Sequence, residues 1–201
     1  KPRAARKTIV RIRYDTVVPS AWQKRRFVEH LHQGELVAYP TEAVFGLGCD
    51  PLNQRAVLDL LALKRRSWRK GLILIAADFS QLEPYLEKLP ASIIAKINAP
   101  TQQATTWLLP AKKNVPKWLT GANETIAVRL VQHPLARELC SLAKMAIVST
   151  SANFSAREPL KTAHKTRLDF KVKGVFTIGS KAGGAEEPSR IIDPFSNRQL
   201  R

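Results

Sequence analysis

The chain has 201 residues, of which 44% are hydrophobic and 24% charged, a balance that excludes a disordered polymer and suits one domain with its own core. Its apolar runs, such as GLILIAA at 71–77, fall far short of the roughly 20 residues that span a bilayer, and no charged-then-apolar leader opens it, so the expected location is cytoplasmic. Lys plus Arg number 33 against 16 acidic residues, a net charge of +17, and a field of that size attracts polyanions.

The basic residues are clustered. Residues 1–26 hold nine of them against the single acid Asp15; KRRSWRK at 64–70 and KTAHKTRLDFKVK at 161–173 form two further groups. Three separated clusters predict a basic face assembled by folding, with a merely solubilising surface as the plainer reading.

In chain order, TIVRIRYDTV (8–17) alternates Val10, Ile12 and Tyr14 with Arg11 and Arg13, the pattern of a half-buried strand with a basic outer side. Ser20 can cap a helix running to about residue 33, which Gly34 ends. ELVAYP (35–40) reads as a strand that Pro40 stops, and the glycine-rich stretch holding Gly46 and Gly48 reads as a turn. Asn53 can cap an amphipathic helix over 53–64 with Val57, Leu60, Leu61 and Lys64 along one side. GLILIAA is a buried strand, and 80–97 predicts one or two short helices broken by Pro84 and Pro90.

Strands follow at 105–111 and 124–130, then a helix over 133–143 with Pro134 at an early position. MAIVST (145–150), VFTIG (175–179) and SRIID (189–193) complete the strands. Strands alternating with helices predict an α/β fold, a largely buried sheet with flanking helices. Without repeats or linkers, residues 1–201 read as a single domain, with 1–18 as a basic strand extension.

No phosphate-binding loop ending in Gly-Lys-Ser/Thr and no dinucleotide fingerprint is present. Cys49 and Cys140 lack metal-ligand spacing and read as reduced thiols. His30 and His32 project to different sides of one helix, so no metal site is expected there. VSTSAN (148–153) lacks the glycines of a nucleophile elbow, which argues against covalent serine catalysis.

Three stretches have the composition of site material. Lys64, Arg66 and Lys70 gather cations at a helix end, suited either to phosphate binding or to the helix dipole alone. VSTSAN places hydroxyls and an amide at the C-terminal end of a strand, where α/β sheets bind ligands, or else forms a plain polar turn. GGAEEPSR (183–190) is a loop with a hydroxyl at Ser189, uninformative by itself.

Taken together, AYPTEAVFGLGCDP (38–51), the Lys-x-Arg-x-x-x-Lys cluster, WLTG followed by TIAVRLVQHP, VSTSAN and the late GG…PSRIID resemble, in order and spacing, the YrdC/Sua5 family in its short bacterial form, over about residues 20–201. The resemblance implies a YrdC-like twisted mixed β-sheet around a basic concave surface. It implies a nucleotidyltransferase that joins L-threonine, bicarbonate and ATP into L-threonylcarbamoyladenylate with release of pyrophosphate, for threonylcarbamoylation of adenosine 37 of tRNA. Partner proteins of the TsaB, TsaD and TsaE type would carry out the transfer, and Mg2+ would be bound through the ATP triphosphate. Matched by position, Thr41, Arg129, Ser151 and Ser189 would bind threonine. Lys64 and Arg66 would hold the triphosphate and serve catalysis, with Lys70, Thr125 and Asn153 completing the ATP site. Glu42 receives no role.

The chain departs from the family pattern at TQQA (101–104), where Trp-Pro-Gly-Pro is usual, at Ser67 in place of proline, and at Ser155-Ala156 in place of Ser-Gly. The net charge of +17, the basic N-terminal segment and the altered 101–104 stretch support a second reading, a binding protein of the same fold for double-stranded RNA or tRNA with weak or lost synthase activity.

Overall fold

The computed structural model describes residues 18–153, 160–171, 174–185 and 187–200; the alternating segment at 8–17 and Ser155-Ala156 lie outside them. Helix α1 (Ala21–His32) starts on a capping box, Ser20 Oγ accepting from the Gln23 amide while the Gln23 side chain accepts from the Ser20 amide. Strand β1 (Val37–Pro40) is buried throughout. Pro40 ends it, the Thr41 amide donates to Val44 O at 3.0 Å, and the chain returns as an antiparallel strand, β2 (Phe45–Gly48). The glycine-rich stretch is therefore a strand, although its composition reads as a turn.

Its glycines admit an aromatic ring. Tyr39 lies opposite Gly46 in the pairing, and a Cβ at Gly46 would stand 3.1 Å from the tyrosine ring. At Gly48 a Cβ would meet Val148 O at 2.3 Å. In place of the expected turn, two strands are pressed together across Tyr39, whose hydroxyl donates to Val148 O at 3.3 Å.

Asn53 caps helix α2 (Gln54–Lys64) through the Ala56 amide at 3.0 Å. Strand β3 (Ile73–Ala76) follows, and the 80–97 stretch becomes two short 3-10 turns and helix α3 (Ala91–Asn98). Next come β4 (Thr105–Pro110), the one-turn α4 (Lys117–Thr120), β5 (Thr125–Leu130), α5 (Pro134–Ala143) and β6 (Ile147–Ser151). Part of the third basic cluster is helix α6 (Ala163–Phe170), capped by Thr162. Two short strands, β7 (Phe176–Thr177) and β8 (Arg190–Ile192), end the described chain.

The eight strands among the described residues form one mixed sheet in the order β7-β1-β2-β6-β3-β5-β4-β8. Strand alternation sorts its side chains onto two faces. Leu74, Val128, Val148 and Leu109 join Val57, Leu60 and Leu61 of α2 in one core. On the other face Tyr39, Ile75 and Ile147 pack under Phe27 and Leu31 of α1 and Leu135 and Leu139 of α5. That second core covers only part of its face: Ile73 pairs with Ser149 and with Ala127, and all three border open space. Cys49 and Cys140 are free and buried in different cores. Among the described residues no helix is long and apolar enough to cross a membrane.

The Gly48 contact yields a test. Gly48→Ala puts a methyl group against a backbone carbonyl, which cannot turn aside as a side chain would. The expected loss is about 3 kcal/mol, read as a fall of several degrees in the thermal midpoint.

Candidate active site

The uncovered part of the second face is a cleft of about 610 Å³. Its floor is set by the pleat of β5: Ile126 and Val128 point into the first core, so Thr125, Ala127 and Arg129 face the cleft. Ser149 and Ser151 of β6, Gly46 of β2 and Leu108 of β4 extend that floor. Thr125 and Arg129 lie four residues apart on one strand, roughly 13 Å, so the cleft has two distinct ends.

At one end stand cations. Helix α2 finishes at Arg65, held in the left-handed conformation (φ 47°, ψ 42°). Lys64 points inward because it lies on the helix face of Val57, Leu60 and Leu61, and the reversal at Arg65 brings the next residue, Arg66, to the cleft. Arg66 Nη2 donates to Gly71 O at 3.0 Å, which fixes the guanidinium beside Lys70. Gly71 and Gly121 both have positive φ, and a Cβ at Gly121 would lie 2.4 Å from Arg69 O. This close approach brings Thr120, which lies in the WLTG stretch but takes no role from sequence, and Asn123, which the sequence does not single out, into the cleft wall with Thr125.

Lys64 does not line the cleft. Its ammonium donates to Ser151 O at 2.7 Å, to Asn153 Oδ1 at 2.8 Å and to Asn153 O, and Ser151 Oγ donates to Asn153 Oδ1 at 2.7 Å. Lys64 and Asn153 thus brace from behind the wall that Ser151 presents in front. Burial, with the neighbouring Arg66 charge, pulls the Lys64 ammonium down to about 8.

At the other end Thr41 Oγ1 donates to Val44 O at 2.7 Å, so toward a ligand this hydroxyl acts as an acceptor. Arg129 reaches the same end, its Nη2 3.6 Å from Glu42 Oε2, with both side chains nearly closed to solvent. Burial pushes the Glu42 carboxyl up, but Arg129 and the amides of Gln132 and His133 outweigh it and hold Glu42 below its usual range.

The late loop closes the side. Gly183 and Ala185 amides donate to Thr41 O and Glu42 O, each at 2.9 Å, and buried Ser189 shares a 2.9 Å hydrogen bond with Thr106. Gln103 Nε2 donates to Glu187 Oε2 at 3.0 Å and to Pro188 O at 3.3 Å, and the Arg190 amide donates to Ala104 O at 2.9 Å. The divergent TQQA stretch is thus the latch of this loop.

Of the residues singled out from sequence, Thr41, Arg66, Lys70, Thr125, Arg129, Ser151 and Ser189 converge on the one cleft. Fold and site together define a mixed-sheet α/β protein with a concave ligand site, cationic at one end and closed around a largely covered arginine at the other. The family model Sua5_yciO_yrdC, described as telomere recombination, matches residues 29–201, and the chain belongs to that family. It is 44% identical over 182 residues to the threonylcarbamoyl-AMP synthase of Methylococcus capsulatus, covering 90% of this chain and 98% of that one. The structure of P. abyssi Sua5 complexed with L-threonine superposes with a TM-score of 0.76 at 33% identity, covering 87% of this chain; the chain spans about half (51%) of the length of that protein. E. coli YciO, at 21% identity and a TM-score of 0.72 over 88% of this chain and 85% of that one, shares the fold.

Removal of the latch should loosen the loop without unfolding the protein. Exposed hydrogen bonds contribute about 1 kcal/mol, so Gln103→Ala is expected to speed amide exchange at Arg190 about fivefold while leaving the thermal midpoint within a degree or two.

Proposed function

We propose that the cleft forms L-threonylcarbamoyladenylate and pyrophosphate from L-threonine, bicarbonate and ATP. One observation carries this reading: a single cleft holds Arg66 and Lys70 at one end and Thr41, Arg129 and Ser189 at the other. The synthase names of relatives at 44% identity favour it over RNA binding without turnover.

The chemistry asks for placement more than for a nucleophile. The threonine amine adds to bicarbonate-derived carbon with loss of water, giving a carbamate. A carbamate oxygen then bonds the α-phosphorus as the bond to pyrophosphate breaks. Arg129 presents a planar fork suited to the amino acid's carboxylate. Thr41, its hydroxyl hydrogen committed to Val44 O, accepts from the threonine amine or hydroxyl. Ser151 likewise donates to Asn153, so it offers lone pairs, and Ser189 closes the side from the late loop.

Arg66 and Lys70 face the triphosphate and stabilise the charge that gathers on departing pyrophosphate, with Thr125 beside the nucleotide. Lys64 and Asn153 serve the ATP site from behind Ser151, by holding the wall and adding a buried positive charge. The rate gain comes from holding two reactants in line and from fixed charges.

Mg2+ would be carried by the ATP triphosphate and water. When bound, Mg2+ would neutralise phosphate charge. The proposed downstream partners are tRNA, gripped by the basic surface, and proteins of the TsaB, TsaD and TsaE type, in the cytoplasm.

The decisive assay follows pyrophosphate release from pure protein with magnesium-ATP. Release is expected only with threonine and bicarbonate together; an equal rate without threonine overturns the reading. The lowered Lys64 pKa sets a pH dependence. Below about 8 the ammonium is charged, and as pH rises through that value the positive charge is lost. ATP affinity should therefore weaken above pH 8 in the native protein. In Lys64→Arg, where the charge persists, calorimetry should show no such decline.

A further inference from the structure

Glu42 has no part in the reaction described above, yet four contacts fix it. Its Oε1 accepts from the amides of Gln132 at 2.6 Å and His133 at 3.3 Å, at the N-terminus of the ten-residue helix α5. Its backbone carbonyl accepts from the Ala185 amide at 2.9 Å. Its Oε2, shut off from solvent and without a hydrogen-bond partner, lies 3.6 Å from Arg129 Nη2.

We infer that Glu42 is the positioning residue of the amino-acid end, holding the Arg129 guanidinium toward the cleft by charge while its backbone anchors the loop that carries Ser189. This rests on the proposed function, since it assigns Arg129 the substrate carboxylate.

The geometry separates two tasks. The amide hydrogen bonds on Oε1 stop the carboxylate from turning, so Oε2 is a fixed negative point. At 3.6 Å it attracts the guanidinium without occupying one of its hydrogen-bond donors. Arg129 Nε is itself buried and without a hydrogen-bond partner, so donors remain for a bidentate ligand carboxylate. A buried guanidinium robbed of its counter-charge turns toward water, because desolvated charge without a partner is costly. Gln132, whose amide bonds Glu42, also ties its side chain to Thr101 at 2.8 Å, so one residue links the divergent 101–104 stretch to the arginine.

A cap for helix α5 alone would make a different prediction. Glu42→Gln keeps an acceptor for the two amides but loses the charge, and one orientation of its amide faces Arg129 with a donor. Glu42→Asp keeps the charge and withdraws it by one methylene. Both variants are compared with the native protein by L-threonine calorimetry and by KM for threonine and for ATP in the pyrophosphate assay, with the thermal midpoint recorded.

Each variant is expected to weaken threonine binding and raise the threonine KM about tenfold or more, with the ATP KM within twofold of native. Arg129→Lys should cost less in the Glu42→Gln background than alone, since the two act as a unit. Should Glu42→Gln not fold, Glu42→Asp carries the same comparison. Threonine affinity in Glu42→Gln equal to or tighter than native overturns the inference, as does a rise shared equally by both KM values. A native protein that binds no threonine overturns the functional reading, and this inference with it.

Discussion

A largely covered arginine in the floor of a sheet constrains everything around it. Arg129 lies on β5 because the pleat that sends Ile126 and Val128 into the first core must send its alternate residues the other way. A charge so placed needs a partner, and Glu42 supplies it from the turn between β1 and β2. Such a pair is weak evidence of stability, because desolvation offsets much of the attraction. What it fixes is geometry, since the hairpin turn, the start of α5 and the late loop must all arrive at one place.

The hairpin's own packing delivers that turn. Tyr39 lies across glycine positions of β2, and Gly48 sits against the backbone of β6. The strands stay close enough for Thr41 and Glu42 to emerge at the end of the sheet that α1 and α5 leave uncovered. The two hairpin glycines serve ring packing and strand approach, and of this pair Gly46 borders the cleft.

Much of this was legible in the chain, and the exceptions have physical causes. The caps at Ser20 and Asn53 and the apolar strands 73–76 and 125–130 announce themselves because local chemistry decides them. Strand β2 does not, since Phe-Gly-Leu-Gly has turn composition and owes its extended form to tertiary packing. Helix α6 hides in a basic cluster of low amphipathicity. Residue types at the site pointed to anion binding, but not to which cations face the ligand. Lys64 follows the apolar face of α2 to backbone carbonyls, and the left-handed Arg65 turns Arg66 to the cleft. The TQQA stretch reads from sequence as a lost motif. Its role as a latch depends on Glu187, a residue 84 positions away, and no local pattern encodes such a pairing.

The distribution of charge separates two kinds of anion recognition. The cleft is lined by Arg66, Lys70 and Arg129 against Glu42 and Glu187, so it contributes little to the net +17 of the chain. On the proposed function a triphosphate would be met by a few fixed donors at short range, where geometry matters more than field. The large excess lies elsewhere, including the third cluster around α6 and the N-terminal residues before 18. Diffuse surface charge acts over a Debye length and is screened by salt, whereas partly buried donors are screened much less. On the proposed function, turnover in the cleft and any grip on tRNA would thus differ in their response to ionic strength, because one rests on a built cleft and the other on the field around it.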